Sequence, residues 1–164
     1  AYSQRVQVDG YAMLALEYRR KDRAMAHCVL RAGRDGEQRL LDFLRGQLEA
    51  NGFTRQQIAE TVVLADELFI LCCNQAESDA RFLAQCAVTE ESGTVLLQVK
   101  GPMGGRNPLE NTWGEVAARA AAYILKNTQR VTFESIDSTD IVTVTRQLEA
   151  GTSDRSGLKQ QIRR

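Results

Sequence analysis

At 164 residues the chain suits one domain with one core, and its 43% hydrophobic and 26% charged content is that of an ordinary globule. Lys plus Arg (21) equals Asp plus Glu (21), and this zero net charge argues against a general nucleic-acid or membrane-surface binder. No apolar run approaches the roughly 20 residues that span a bilayer, and AYSQRVQVDG at the start has no signal-peptide apolar region, so a cytoplasmic location is expected.

The opening RVQVDGYAMLALEYRR fits two readings, a hairpin turning at Asp9-Gly10 or a helix from Tyr11 to Arg20. Residues 1–20 are therefore set apart as an N-terminal extension of uncertain form. A strand is predicted over 23–32. It carries His27, the single histidine, far from any Ser or Cys motif, which points to a structural role. Cys28, Cys72, Cys73 and Cys86 show no C-x-x-C spacing, and adjacent cysteines on a helix face different ways. They read as buried thiols in a reducing cytosol rather than as a metal or redox site.

Asp35 and Gln38 have capping-box spacing and open a first helix whose buried stripe is Leu40, Leu41, Leu44 and Leu48; Asn51-Gly52 ends it. Thr54 and Gln57 cap the second helix in the same way, with Phe53 and Ile58 placed to form a hydrophobic staple. On that helix Ile58, Val62, Ala65, Phe69, Cys72 and Ala76 form one apolar stripe. A second stripe carries Glu67, Leu71 and then Asn74 with Gln75.

Strands are predicted over 80–89 and 94–100, joined by the turn Glu90-Glu91-Ser92-Gly93. The loop KGPMGGRNPLEN follows, and Thr112 with Glu115 has the spacing to cap an alanine-rich helix reaching about Lys126. A final hairpin, 129–136 and 140–148, turns at Asp137-Ser138-Thr139, and residues 151–164 form a polar, disordered tail. The predicted fold is an α/β (α+β) two-layer sandwich: a mixed, mostly antiparallel sheet covered on one face by about three helices, all within one domain over 1–150.

Two stretches carry the chemistry. In KGPMGGRNPLEN, Gly101, Gly104 and Gly105 allow backbone N–H groups to approach a phosphate with Lys100 or Arg106 as counter-charge. The plainer reading is a connection whose glycines serve tight turns. It is not a Walker loop, because no Gly-Lys-Ser/Thr follows. In LADELFILCCNQAE, Glu67 is placed to act as a general base, but one turn on, where a magnesium site wants an oxygen ligand, stands Leu71.

Taken in order, DELFILCCNQAE, KGPMGGRNPLEN and TWGEVAARAAAYILK resemble the anti-sigma-factor serine kinases of the histidine-kinase-like (GHKL, or Bergerat) ATPase superfamily, over roughly residues 20–148. Asp66, Glu67 and Leu68 match the start of that family's first motif, and Asn74, Gln75 and Ala76 resemble its end. Leu71 falls where the family has its magnesium-binding Asn. Asn107, Pro108, Leu109 and Glu110 match the tail of the second motif, while the Asp that holds the adenine amino group is missing from the neighbourhood of Lys100, Gly101 and Pro102. Of the third, Gly-Leu-Gly motif only Gly114 has a counterpart, with Trp113 before it.

The resemblance implies a histidine-kinase-like ATPase fold, with Leu71, Asn74, Lys100, Gly101, Gly104, Gly105, Asn107 and Gly114 lining the pocket and Glu67 as the catalytic base. The motif losses imply a pseudokinase-like regulatory protein-binding module whose ATP binding is weakened or lost, so no cofactor is expected, or ATP with magnesium if the site is retained. The implied partner is a sigma factor or an anti-anti-sigma regulator, with a possible homodimer through the sheet edge and no protein metal site. Two alternatives stand beside it: a divergent ATP-dependent protein-serine kinase or ATPase, and a binder of another small ligand in a more apolar pocket.

Overall fold

A computed structural model of the protein describes residues 25–74, 76–89, 93–110, 112 and 114–148. The expectations for residues 1–20, Gln75, Trp113, the Glu90–Ser92 turn and the tail at 151–164 lie outside the described residues.

The described chain runs β1 (Ala26–Arg31), α1 (Arg34–Ala50), α2 (Arg55–Asn74), β2 (Arg81–Thr89), β3 (Thr94–Gly101), α3 (Glu115–Lys126), β4 (Arg130–Ile136) and β5 (Thr139–Gln147). The five strands form one sheet in the order β1-β2-β3-β5-β4. The expected mostly antiparallel sheet is antiparallel at every pairing among the described residues. The helices pack on one face of it, giving a two-layer α+β sandwich.

The core lies between these layers. Leu40, Leu44 and Leu48 of α1 and Ile58, Val62, Ala65, Phe69 and Cys72 of α2 are buried at helical spacing. They meet Phe82, Ala84 and Cys86 of β2, Val95, Leu97 and Val99 of β3, and Val142 and Val144 of β5, which alternate along their strands. Leu41, predicted for the buried stripe, is only partly buried. Phe69 and Phe82 make an edge-to-face contact with ring centroids 5.8 Å apart, joining the C-terminal part of α2 to the start of β2.

The capping signals divide. Between α1 and α2 they hold in full. The Phe53 amide donates to Leu48 O and the Gly52 amide to Glu49 O, with Gly52 at φ 78°, a Schellman ending. The Gln57 amide donates to Thr54 Oγ1 at 3.1 Å and the Thr54 amide to Gln57 Oε1 at 2.9 Å, a reciprocal capping box. The other two predicted boxes are absent. The N-caps are Gly33 at φ 112° and Gly114 at φ 89°, and neither has a side-chain cap. In both places the backbone enters the helix through the left-handed half of φ space, where glycine is favoured, and this sets the start one residue before Arg34 and two after Thr112.

Gly36 shows why the chain needs no side chain at the first turn of α1. A Cβ there would lie 1.7 Å from the carbonyl oxygen of Arg31, so the helix start rests directly on the end of β1. Gly-to-Ala inside a helix ordinarily stabilises by about 1 kcal/mol. Gly36→Ala is expected to do the reverse and destabilise by about 2–4 kcal/mol, because backbone must move. Urea unfolding of the two proteins measures the sign; an unchanged or raised midpoint would refute the contact.

Candidate functional site

The predicted site residues gather at one end of the sandwich. Arg146, late in β5, bonds Glu60 in the first half of α2 (2.9 Å) and the carbonyl of Asn127 at the end of α3 (2.8 Å). Helices α2 and α3 therefore run antiparallel, and the end of α2 lies at the same end as the start of α3. Asp140, six residues earlier in β5 and so about 20 Å away, lies at that end too. Gly101 is its partner across the β3–β5 ladder; next to it Lys100 pairs with Leu83, and Arg31 at the end of β1 pairs with Arg81 at the start of β2. The start of α1 completes the group.

The loop from β3 to α3 is shaped by Asp140. This carboxylate is buried, and one oxygen accepts from the amides of Met103 (2.7 Å) and Gly105 (3.0 Å). The other accepts from the Ser135 hydroxyl at 2.7 Å. Burial alone would raise the Asp140 carboxyl, but the bonds from Ser135, Gly105 and Met103 outweigh it and hold the group below the usual carboxylate range. Met103 is fully buried beneath the loop, while Gly104 and Gly105, at φ 76° and 71°, turn the chain back to solvent.

The other predicted residues have definite places. Leu71 is buried in the main core. Glu67 is half-buried, and Asn74 is exposed at the last position of α2. Asn107 closes an Asx turn, its side-chain oxygen accepting from the Leu109 amide at 3.0 Å, and Leu109 is buried. Lys100 is half-buried at the end of β3, and Gly114 is exposed at the N-cap of α3. Gly101 is tightly enclosed: a Cβ there would lie 2.3 Å from the Phe82 ring and 3.0 Å from the Arg81 carbonyl oxygen.

A second carboxylate group was not anticipated. Glu37, in the first turn of α1, and Asp66 of α2 share a hydrogen bond. That bond, burial and the Asp66 charge raise Glu37 to about 7, with Arg34 opposing. The Gly33 amide bonds the Cys73 thiol nearby; burial raises that thiol, opposed by the amide and reinforced by the Glu37 charge. Cys72 and Cys86 are buried in the core, and burial pushes Cys86 up to about 12. The signal for the acid pair was present in outline, since Glu37 is an acidic residue in a helix first turn and Asp66 adjoins Glu67. Their meeting depends on how α1 crosses α2, which spacing alone does not fix.

No family model matches the chain, and no curated protein matches it. Among solved structures it is similar to the RsbU and RsbW domains of Rv1364c from Mycobacterium tuberculosis, at 18% identity and a TM-score of 0.53. The likeness covers 76% of this chain and 32% of that one, so the chain spans about a third of the structure it matches. At that identity the likeness is one of fold. No described helix is long and apolar enough to cross a membrane.

Two outcomes test this account. Asp140→Ala leaves the buried Met103 amide and the part-buried Gly105 amide without their charged acceptor and is expected to cost about 3 kcal/mol in chemical denaturation. Because the folded carboxyl is depressed, its contribution is complete above the unfolded value and fades as pH falls through the folded one, so the wild-type margin over Asp140→Ala narrows in acid. Glu37 behaves oppositely, since its folded value is raised. Its protonated form suits the folded state, and stability is lost as pH climbs from the ordinary carboxyl range through about 7. Glu37→Gln should therefore raise the melting temperature at pH 8 and change it little at pH 5; equal effects at both values would contradict the raised Glu37 carboxyl.

Proposed function

We propose that this protein is a regulatory protein-binding module of the anti-sigma-factor type that works without nucleotide. The observation that carries the reading is the environment of Gly101. In the kinases that the sequence resembles, an Asp in this neighbourhood holds the adenine. Here the position has no side chain, and the Phe82 ring stands where one would project. The nearest carboxylate, Asp140 on the adjoining strand, is engaged by three donors of its own fold. Leu71, in place of the family's magnesium-binding Asn, belongs to the core. The fold shared with a structure that includes an RsbW domain, an anti-sigma-factor kinase of this superfamily, supports the same direction.

In this reading the partner is a sigma factor or an anti-anti-sigma-like regulator met in the cytoplasm, and the scaffold presents its surfaces with no phosphoryl-transfer step. Self-association through the sheet edge belongs to the same proposal. Phosphoryl transfer depends on metal and positioning more than on a lone base, so Glu67 by itself does not supply a kinase.

Calorimetric titration with ATP and ADP, with and without magnesium, tests the reading. No heat is expected up to about millimolar nucleotide. Magnesium-dependent binding in the micromolar range would overturn it and lead to serine-kinase assays with Glu67→Ala as control. Interaction screening against sigma factors and anti-anti-sigma proteins should then give complexes whose affinity is the same with and without ATP.

A further inference from the structure

Strand alternation puts Leu30 of β1 and Phe82 of β2 into the main core and turns their neighbours Arg31 and Arg81 to the other face of the sheet. Both arginines are exposed, and the β1–β2 register makes them direct partners. Residues paired in this way stand about 5 Å apart at Cα, and like charges so placed destabilise the ladder. Neither guanidinium forms an ion pair among the described residues. Asp35 and Asp79, exposed acids close to them in the chain, make no salt bridge with either, and Arg34 acts on Glu37 instead.

The fold holds this corner firmly. The Arg31 carbonyl oxygen lies against Gly36 of α1 and the Arg81 carbonyl oxygen against Gly101 of β3. Just beyond the pair the Ala32 amide donates to Ala80 O at 2.9 Å. The two backbones are thus kept together against the repulsion, and the side chains carry two adjacent forks of N–H donors into solvent. Each fork matches a carboxylate in a bidentate, charge-assisted pair, so an arriving acid relieves the repulsion as it binds. The whole chain has as many acidic as basic residues. A local surplus at one corner therefore suits a short acidic stretch and not the long phosphate backbone of a nucleic acid.

We propose that the Arg31–Arg81 pair is a docking point for an acidic segment of a partner protein, whose Asp or Glu carboxylates the two guanidiniums take up. The inference rests on the reading of this chain as a protein-binding module and adds the chemistry of the partner's surface. The pair lies at the same end of the sandwich as Gly101 and Asp140, on the face away from the helices.

Fluorescence anisotropy of a labelled oligoglutamate peptide at low salt tests the assignment. The wild-type chain is expected to bind it, with affinity reduced about five- to tenfold in Arg31→Ala/Arg81→Ala. Arg130→Ala, which removes an exposed arginine at the start of β4, should leave it unchanged. Arg31→Glu gives a second reading: it replaces the repelling pair by a cross-strand ion pair, so it should lose the peptide while raising the urea midpoint. An absence of wild-type binding, an equal loss in Arg130→Ala, or a midpoint that does not rise in Arg31→Glu would overturn the proposal. Displacement of the peptide by about millimolar inorganic phosphate, or tighter binding of an oligothymidylate, would overturn it in favour of a free anion or a nucleic acid. Magnesium-dependent ATP binding would sink the nucleotide-free reading above and leave the peptide result standing, so the two failures are distinct.

Discussion

A buried carboxylate must be fully hydrogen-bonded to remain charged, and around Asp140 this requirement organises one end of the protein. Its three donors come from the two sides of β5: Met103 and Gly105 from the long loop after β3, and Ser135 from β4. The loop is consequently bound to the sheet at its start. Met103 is driven into the core, and the two glycines beyond it take left-handed conformations to bring the chain out again. What looked in the sequence like a flexible glycine-rich connection is a fixed turn with an anion at its centre.

The same end of the molecule also gathers the starts of α1 and α3, whose free amides favour negative charge. Near α1, Glu37 bonds Asp66, and the Gly33 amide bonds the Cys73 thiol. These contacts fix the end of the sandwich without any group from outside the described residues. Several of the positions singled out in the sequence are engaged within the fold: Gly101 beside Phe82, Leu71 in the core, and Asn107 in its own turn.

Much of this architecture was legible in the residues. The Thr54–Gln57 capping box, the Gly52 helix ending and the strand boundaries follow from short-range patterns, and such patterns survive folding because their partners are three or four residues apart. The Gly at position 101 and the Leu at position 71 were equally plain. Asp140 was not, although an Asp at the start of an otherwise Val- and Thr-rich strand is itself a signal, since Asp is depleted in strands. Its donors lie 35 and 37 residues away, and only the β3–β5 register brings them close. The failed boxes at Asp35 and Thr112 have a related cause. Helix starts at Gly33 and Gly114 are set by how the chain leaves β1 and the long loop, a tertiary demand that a four-residue pattern does not contain.

The hairpin turn between β4 and β5 has a further consequence for how this protein can diverge. Ile136 pairs directly with Thr139, so the connection is only Asp137 and Ser138, both with positive φ (51° and 66°). That short turn sets the pairing of Ser135 with Asp140 on the helix side of the sheet. An inserted residue absorbed as a one-residue register slip would flip β4 and carry the Ser135 hydroxyl to the opposite face. Length variation among descendants of this chain is therefore physically steered away from positions 137–138, even though they form an exposed surface turn of the kind that usually accepts insertions freely.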